Sequence, residues 1–324
     1  MDKKITVVVP CYNAANTVAK TLDSLINQTS DEVGILAIND GSRDETGSIL
    51  DSYKEKYPDR VAVVHKENEG IAMTRNRALD LIDTPYFGFL DSDDTCEPTM
   101  FEKMLKKMEE DEADVVVSNF TWVTSKGNRV EKEGPYKQGK EMLIGLFAVL
   151  WNKLYRTEFV RNSGVRFPDG NRYEDACFLY CLTPHIRKIS FIDEAFVNYV
   201  QLSTSITHTN NHEVKNMINV FRIIVDYYKK QGWYDEYRDE LEYLHIKFFL
   251  GNSFLRSCMI DDREDRNNTI RMGWELPNTA CPKWMKDPYL KSLGGMKNLY
   301  FSMVREWNIP ILVFLFRRFK RIEA

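Results

Sequence analysis

Three carboxylates fall within four residues at Asp91-Ser92-Asp93-Asp94, directly after the apolar run Tyr86 to Leu90. That run lies between Pro85 and Pro98 and is too short and too aromatic for a helix, so it reads as a buried strand. Carboxylates gathered at the end of such a strand are costly to bury unless positive charge meets them. A divalent cation carrying phosphates suits a hard-oxygen cluster of this kind. The same residues also fit an ordinary acidic turn, with Asp94 or Thr95 capping the helix that begins near Pro98. A second acidic pair, Glu174-Asp175, opens a segment with Ala176, Phe178, Leu179 and Leu182 as its apolar face. Acids at a helix start complement the helix dipole; the alternative is that one of the two is a catalytic base.

The elements that position these groups are legible from periodicity. Ile5 to Val9 is a β-branched run closed by Pro10, followed by a helix over Thr17 to Asn27 with Val18, Leu22, Leu25 and Ile26 inward. Val33 to Ile38 is a second strand, broken by Asn39-Asp40-Gly41-Ser42, and a helix follows over Glu45 to Lys56. Val61 to Val64 is a third strand, and Gly70 introduces a helix through Ile82. The strand into Asp91, a helix over Thr99 to Glu110 and a strand over Asp114 to Val117 complete the series. Strands alternating with amphipathic helices predict right-handed βαβ units and an α/β fold with a mostly parallel sheet. Trp122 to Tyr136 reads as a hairpin or loop turning at Gly127 and Gly134, and helical spacing returns over Gly139 to Leu150. Val214 to Lys230 and Trp233 to Cys258 read as helices.

Bulk properties bound the function. The chain has 324 residues and a net charge of −4, so no general polyanion-binding character and no nucleic-acid partner is expected. Six cysteines without zinc spacing fit reduced thiols of a cytosolic protein. Neither a signal-peptide stretch nor a membrane span is expected. In open α/β sheets ligands bind beyond the carboxyl ends of the strands. Here those ends carry Pro10-Cys11-Tyr12-Asn13, Asn39-Asp40-Gly41-Ser42, Asn68-Glu69-Gly70 and Asp91-Ser92-Asp93-Asp94. Neither a Gly-x-Gly-x-x-Gly nor a Walker-type phosphate loop is present. The pattern suits a base held by Tyr12 and Asp40, with phosphates led to a metal at Asp93.

These strand-end motifs, together with Arg75-Asn76 after Gly70, follow one another over about 95 residues. In that order the chain resembles the nucleotide-binding half of family 2 glycosyltransferases with a GT-A fold, of the bacterial polysaccharide and cell-wall glycan type. It departs at Asn39, where many relatives carry a second aspartate. The resemblance implies that Pro10, Tyr12, Asn13, Asp40, Asn68, Gly70, Arg75, Asp91, Ser92 and Asp93 hold a nucleotide sugar, with a UDP-sugar expected. Tyr12 would stack on a pyrimidine and Asp40 would accept its imide N–H. Arg75 would reach the phosphates or stabilise the acidic loop. Asp91 would contact ribose or the metal shell, and Asp93 would ligate Mn²⁺ or Mg²⁺. Trp151-Asn152-Lys153-Leu154-Tyr155-Arg156, followed by the acidic pair, also resembles these enzymes. By that likeness Trp151, Asn152 and Lys153 lie on the acceptor side, Asp175 deprotonates the acceptor hydroxyl and Glu174 supports it. His208, in a His-x-x-x-His spacing with His212, is a phosphate-side candidate or a polar loop residue.

The resemblance thus implies an inverting, metal-dependent transfer of a hexosyl or N-acetylhexosaminyl group to a glycan or lipid-linked saccharide. A catalytically silent sugar-nucleotide-binding module is the alternative. A nucleotidyltransferase would need a Gly-rich phosphate loop, and a glycoside hydrolase would have no use for Tyr12, Asp40 and Asp93. The expected organisation is a GT-A domain over residues 1–210, with a nucleotide-sugar half at 1–118 and an acceptor half at 119–210, then a helical region at 211–324. Within the last region, 309–321 joins an apolar run to a basic cluster. It suits either the interface of an anionic leaflet, as a peripheral protein on the cytoplasmic face, or a helix docked on the body or in a homo-oligomer.

Overall fold

The computed structural model describes residues 3–170, 173–201, 214–280, 284–292 and 295–323. They fall into two compact units, one from Met1–Gly170 with Glu174–Ser205 and one from Asn171–Tyr173 with Ile206–Ala324.

The first unit is built on one sheet. Strands β1 (Ile5–Cys11) and β2 (Val33–Asp40) are buried along their whole length, as continuous apolar runs covered on both faces must be. With β3 (Val61–Lys66) and β4 (Tyr86–Phe89) they form a parallel array in the order β3-β2-β1-β4. Helices α1 (Val18–Ile26), α2 (Thr46–Lys56) and α3 (Ile71–Leu81) supply the crossovers. After the short strand β5 (Thr95–Cys96), helix α4 (Met100–Glu110) buries Met100, Phe101, Met104, Leu105 and Met108, an i, i+4 face closing the core.

Beyond β4 the mostly parallel sheet also takes antiparallel strands. The long strand β6 (Val115–Thr124) turns at Gly127 into β7 (Gly127–Glu131), the hairpin read from sequence. Strand β8 (Lys153–Arg156) is antiparallel to both β4 and β6, and β9 (Ile189–Val200) runs parallel to β6 and antiparallel to β5. A parallel neighbour needs a crossover; the chain from 131 to 153 instead delivers β8 pointing the other way.

The helix expected over Gly139 to Leu150 forms only as a 3-10 turn at Gly139–Glu141 and the single turn α5 (Met142–Gly145). Past it, the carbonyls of Phe147 and Val149 accept from the Lys153 ammonium. Helix α6 (Thr157–Ser163), closed by Gly164 at φ 66°, was not anticipated, whereas α7 (Glu174–Leu182) starts at the acidic pair as read.

In the second unit, helix Val214–Lys230 forms as expected. The stretch Trp233 to Cys258 is helical from Arg238 but passes through a π-helical segment at Lys247–Ser253. Further helices span Arg263–Ala280, Pro288–Ser292, Gly295–Met303 and Ile309–Glu323. Among the described residues no helix is long and apolar enough to cross a membrane. His208 lies outside the described residues.

Candidate active site

At the carboxyl ends of β1 and β2 two loops are zipped together. Asn13, at φ 49°, donates its N–H to Ser42 Oγ and accepts from the Arg43 N–H. Asp44 receives the N–H groups of Ala15 and Thr46 and the Thr46 hydroxyl, while Thr46 Oγ1 receives the Ala14 N–H. Cys11 pairs with Asn39 in the sheet, so Tyr12 and Asp40 leave adjacent strands side by side. Tyr12 is half exposed, leaving its ring open for stacking, and Asp40 is buried. Pro10, the next-to-last residue of β1, is buried, and Asn68 is exposed beside Gly41.

Asp40 is held more tightly than its motif suggests. It accepts a bond from the Lys66 ammonium and from the N–H groups of Glu69 (2.9 Å) and Gly70 (3.0 Å). Burial works against its charge, but these donors outweigh burial and hold the carboxyl below its ordinary range. A carboxylate has about four acceptor positions, so these three bonds leave room for one further donor. Sequence reasoning missed Lys66, whose position opposite Asp40 follows from the β2–β3 register. Asn39, in place of the expected acid, caps the loop through Ser42 N and bonds the His65 ring.

The centre of the site is Arg75 on α3, which is buried. Its Nη2 donates to Asp91 Oδ1 at 2.9 Å and its Nη1 to Glu174 Oε1 at 2.5 Å. The guanidinium carbon lies 5.9 Å and 5.8 Å from the Phe89 and Phe167 ring centroids. One arginine thus joins the acidic loop after β4 to the acidic pair opening α7.

The three acids of the loop have different surroundings. Asp91 is partly exposed and paired with Arg75. Asp93 is pushed up to about 6 by burial and then by the Asp91 charge. Asp94 is fully buried and pushed up to about 9 by burial, Asp91 and Asp93. Its Oδ1 accepts the Val200 N–H, tying the loop to β9, and Oδ2 has no hydrogen-bond partner among the described residues. Asp94 is therefore a loop anchor. Ser92 sits between the two accessible acids.

Among the described residues no three His, Cys, Asp or Glu side chains are arranged to enclose a metal ion. The donor set nonetheless fits a cation whose remaining positions go to phosphate oxygens and water: two hard carboxylates, one of them bearing a like-charge burden.

Asp175 accepts the Ala176 N–H. Burial, then the neighbouring Glu174 charge, pushes it up to about 7 against the opposing pull of Arg75. Trp151, Asn152 and Lys153 do not face a cleft. Trp151 packs in the core against Phe120 and Tyr199. Asn152 Nδ2 donates to Ser118 O and Glu133 Oε1, and the fully buried Lys153 ammonium also reaches Asn152 Oδ1. All three side chains are buried in the first unit and occupied by its own groups, not open to an acceptor.

This sheet, with its strand-end cleft, is the GT-A scaffold of sugar-transferring enzymes. The family described as "Glycosyl transferase family 2" matches residues 6–169, just over half the chain. The chain belongs to that family and is a glycosyltransferase. It is 26% identical over 264 residues to the uncharacterised glycosyltransferase YibD of Escherichia coli (strain K12), covering 74% of this chain and 76% of that one. It is 26% identical over 318 residues to the cholesterol galactosyltransferase of Borreliella burgdorferi, covering 91% and 84%. The crystal structure of S. aureus TarS 1-349 in complex with UDP-GlcNAc superposes with a TM-score of 0.70 at 20% identity, covering 92% and 89%.

Proposed function

We propose that this protein is an inverting, metal-dependent enzyme that moves a hexosyl or N-acetylhexosaminyl group from a UDP-sugar to a hydroxyl of a glycan or lipid-linked saccharide. The setting is surface polysaccharide or cell-wall glycan synthesis at the cytoplasmic face of the membrane. One observation carries the reading: the buried Arg75 holds Asp91 of the acidic loop and Glu174 of the acidic pair in a single assembly. The UDP assignment is supported by the TarS complex, and an acceptor of lipid character by the galactosyltransferase relative, whose name specifies cholesterol.

Each residue has a role its chemistry can perform. Tyr12 stacks on the base, and Asp40, preset by Lys66, Glu69 N–H and Gly70 N–H, accepts the imide N–H. Asp93 and Asp91 would hold Mn²⁺ or Mg²⁺, which when bound supplies positive charge to the departing diphosphate. Arg75 fixes Asp91 from behind. Asp175 takes the acceptor proton as the new bond forms; a carboxyl near 7 is a far stronger base than an ordinary one yet still largely ionised above neutrality. Glu174, locked by Arg75, keeps that carboxyl oriented. His208 is retained as a phosphate-side candidate.

The test is a panel of nucleotide sugars assayed for binding and slow hydrolysis with Mn²⁺ and with EDTA. Metal-dependent release of UDP from one donor, abolished in Asp93→Ala, is the expected result. Donor binding that ignores both EDTA and Asp93→Ala would overturn the metal assignment; no donor bound under any condition would overturn the transferase mechanism.

A further inference from the structure

We propose that the outward face of helix Ile309–Glu323, with Trp307 before it, is a docking surface for an anionic lipid bilayer. The proposal deepens the membrane-face setting given above, and it can fail while the transferase reading stands, because its test needs neither donor nor turnover.

The helix has two distinct faces. On one, Phe316 lies 6.2 Å from the Phe254 ring and 6.4 Å from the Tyr300 ring. The Arg317 guanidinium beside it donates to the Cys258 and Ile260 carbonyls, both at 2.9 Å. These contacts fix the rotation of the helix on its own unit. The other face therefore points outward, and it is apolar: Ile311, Phe314 and Leu315 are 53%, 63% and 39% exposed. Arg318 completes the i, i+3, i+4, i+7 row and is exposed. Trp307, in the 3-10 turn just before the helix, is 73% exposed. An exposed apolar row of this length marks an interaction surface.

Charge identifies the occupant. The whole chain carries −4, whereas Arg318, Lys320 and Arg321 place three cations in four residues beyond the docked Arg317, with no acid between Ile309 and Ile322. An amphipathic helix with aromatic and aliphatic groups on one side and a basic end lies in the interface of an anionic leaflet. Tryptophan is enriched at that depth. The helix is not a membrane span, so it lies on the bilayer. Two copies meeting symmetrically through this face would bring like charges together.

The test is flotation of the full chain with vesicles of phosphatidylcholine alone and of phosphatidylcholine with phosphatidylglycerol, at low and high salt. Binding is expected to the anionic vesicles only and to weaken with salt. Arg318→Gln should weaken it about fivefold, and Phe314→Glu with Leu315→Glu about a hundredfold. The thermal unfolding of these variants should be unchanged, since all three side chains are exposed. No binding to anionic vesicles, binding indifferent to lipid charge, or binding unaffected by these substitutions would overturn the proposal. So would sedimentation showing a dimer that Phe314→Glu dissociates, which would assign the face to a second copy.

Discussion

Replacing Arg75 by methionine removes the guanidinium fork while retaining an unbranched chain between the rings of Phe89 and Phe167. Two carboxylates then lose their cation: Glu174, whose side chain is 10% exposed, and Asp91, at 32%. Breaking a buried ion pair from one side costs about 3–5 kcal/mol because it leaves uncompensated charge. Asp91 recovers water readily, so the lower end, about 3 kcal/mol, is expected. A domain stable by about 5–15 kcal/mol survives that loss, and urea unfolding will measure it. The functional signature is separate. Arg75 opposes the rise of Asp175; without it Asp175 holds its proton more tightly and the acid limb of the pH–rate profile moves to higher pH. Arg75→Lys, which keeps charge without the fork, should fall between the two. A methionine variant with the wild-type unfolding midpoint and an unmoved pH profile would refute the reasoning.

Three further predictions follow from the geometry. Lys66→Met should raise the donor KM about tenfold with a smaller effect on kcat, since it removes a charge-assisted bond that presets Asp40. Gly41→Ala should lower stability by about 1–3 kcal/mol and impair donor binding: Gly41 has φ 67°, and a Cβ there would stand 2.7 Å from the Asn68 backbone nitrogen. Asp287, buried in the second unit, accepts the Tyr289 and Leu290 N–H groups, yet burial pushes its carboxyl up to about 7. The folded chain thus binds this proton more tightly than the unfolded one, so its effect on stability becomes unfavourable as pH rises from about 4 to 7. Asp287→Asn should be nearly neutral at pH 3.5 and stabilising by about 2–4 kcal/mol at pH 8, measured by thermal unfolding at both values.

The parts of the site legible in the sequence are local. The acidic loop declares itself because a short apolar strand runs straight into it, and Asn39 to Ser42 because turn residues interrupt an apolar run. What escaped depends on distant pairings. Arg75 and Glu174 are 99 residues apart, and nothing in either segment alone states that they meet. Lys66 follows only from strand register. Lys153 reads as an acceptor contact, but the fold buries it and satisfies its ammonium with two carbonyls and an amide. Asp94 belongs by sequence with Asp91 and Asp93; its environment makes it an anchor for β9.

The most direct test of the catalytic account is to compare donor affinity and turnover for wild type and Asp175→Asn across pH 5 to 9. The account predicts wild-type turnover rising with a single-proton slope through about pH 7 and levelling above it. Asn at 175 should leave donor and metal affinity nearly unchanged and lower turnover by about 10²–10⁴-fold, with that slope gone. An Asp175→Asn enzyme that turns over at the wild-type rate with the same pH profile would contradict it.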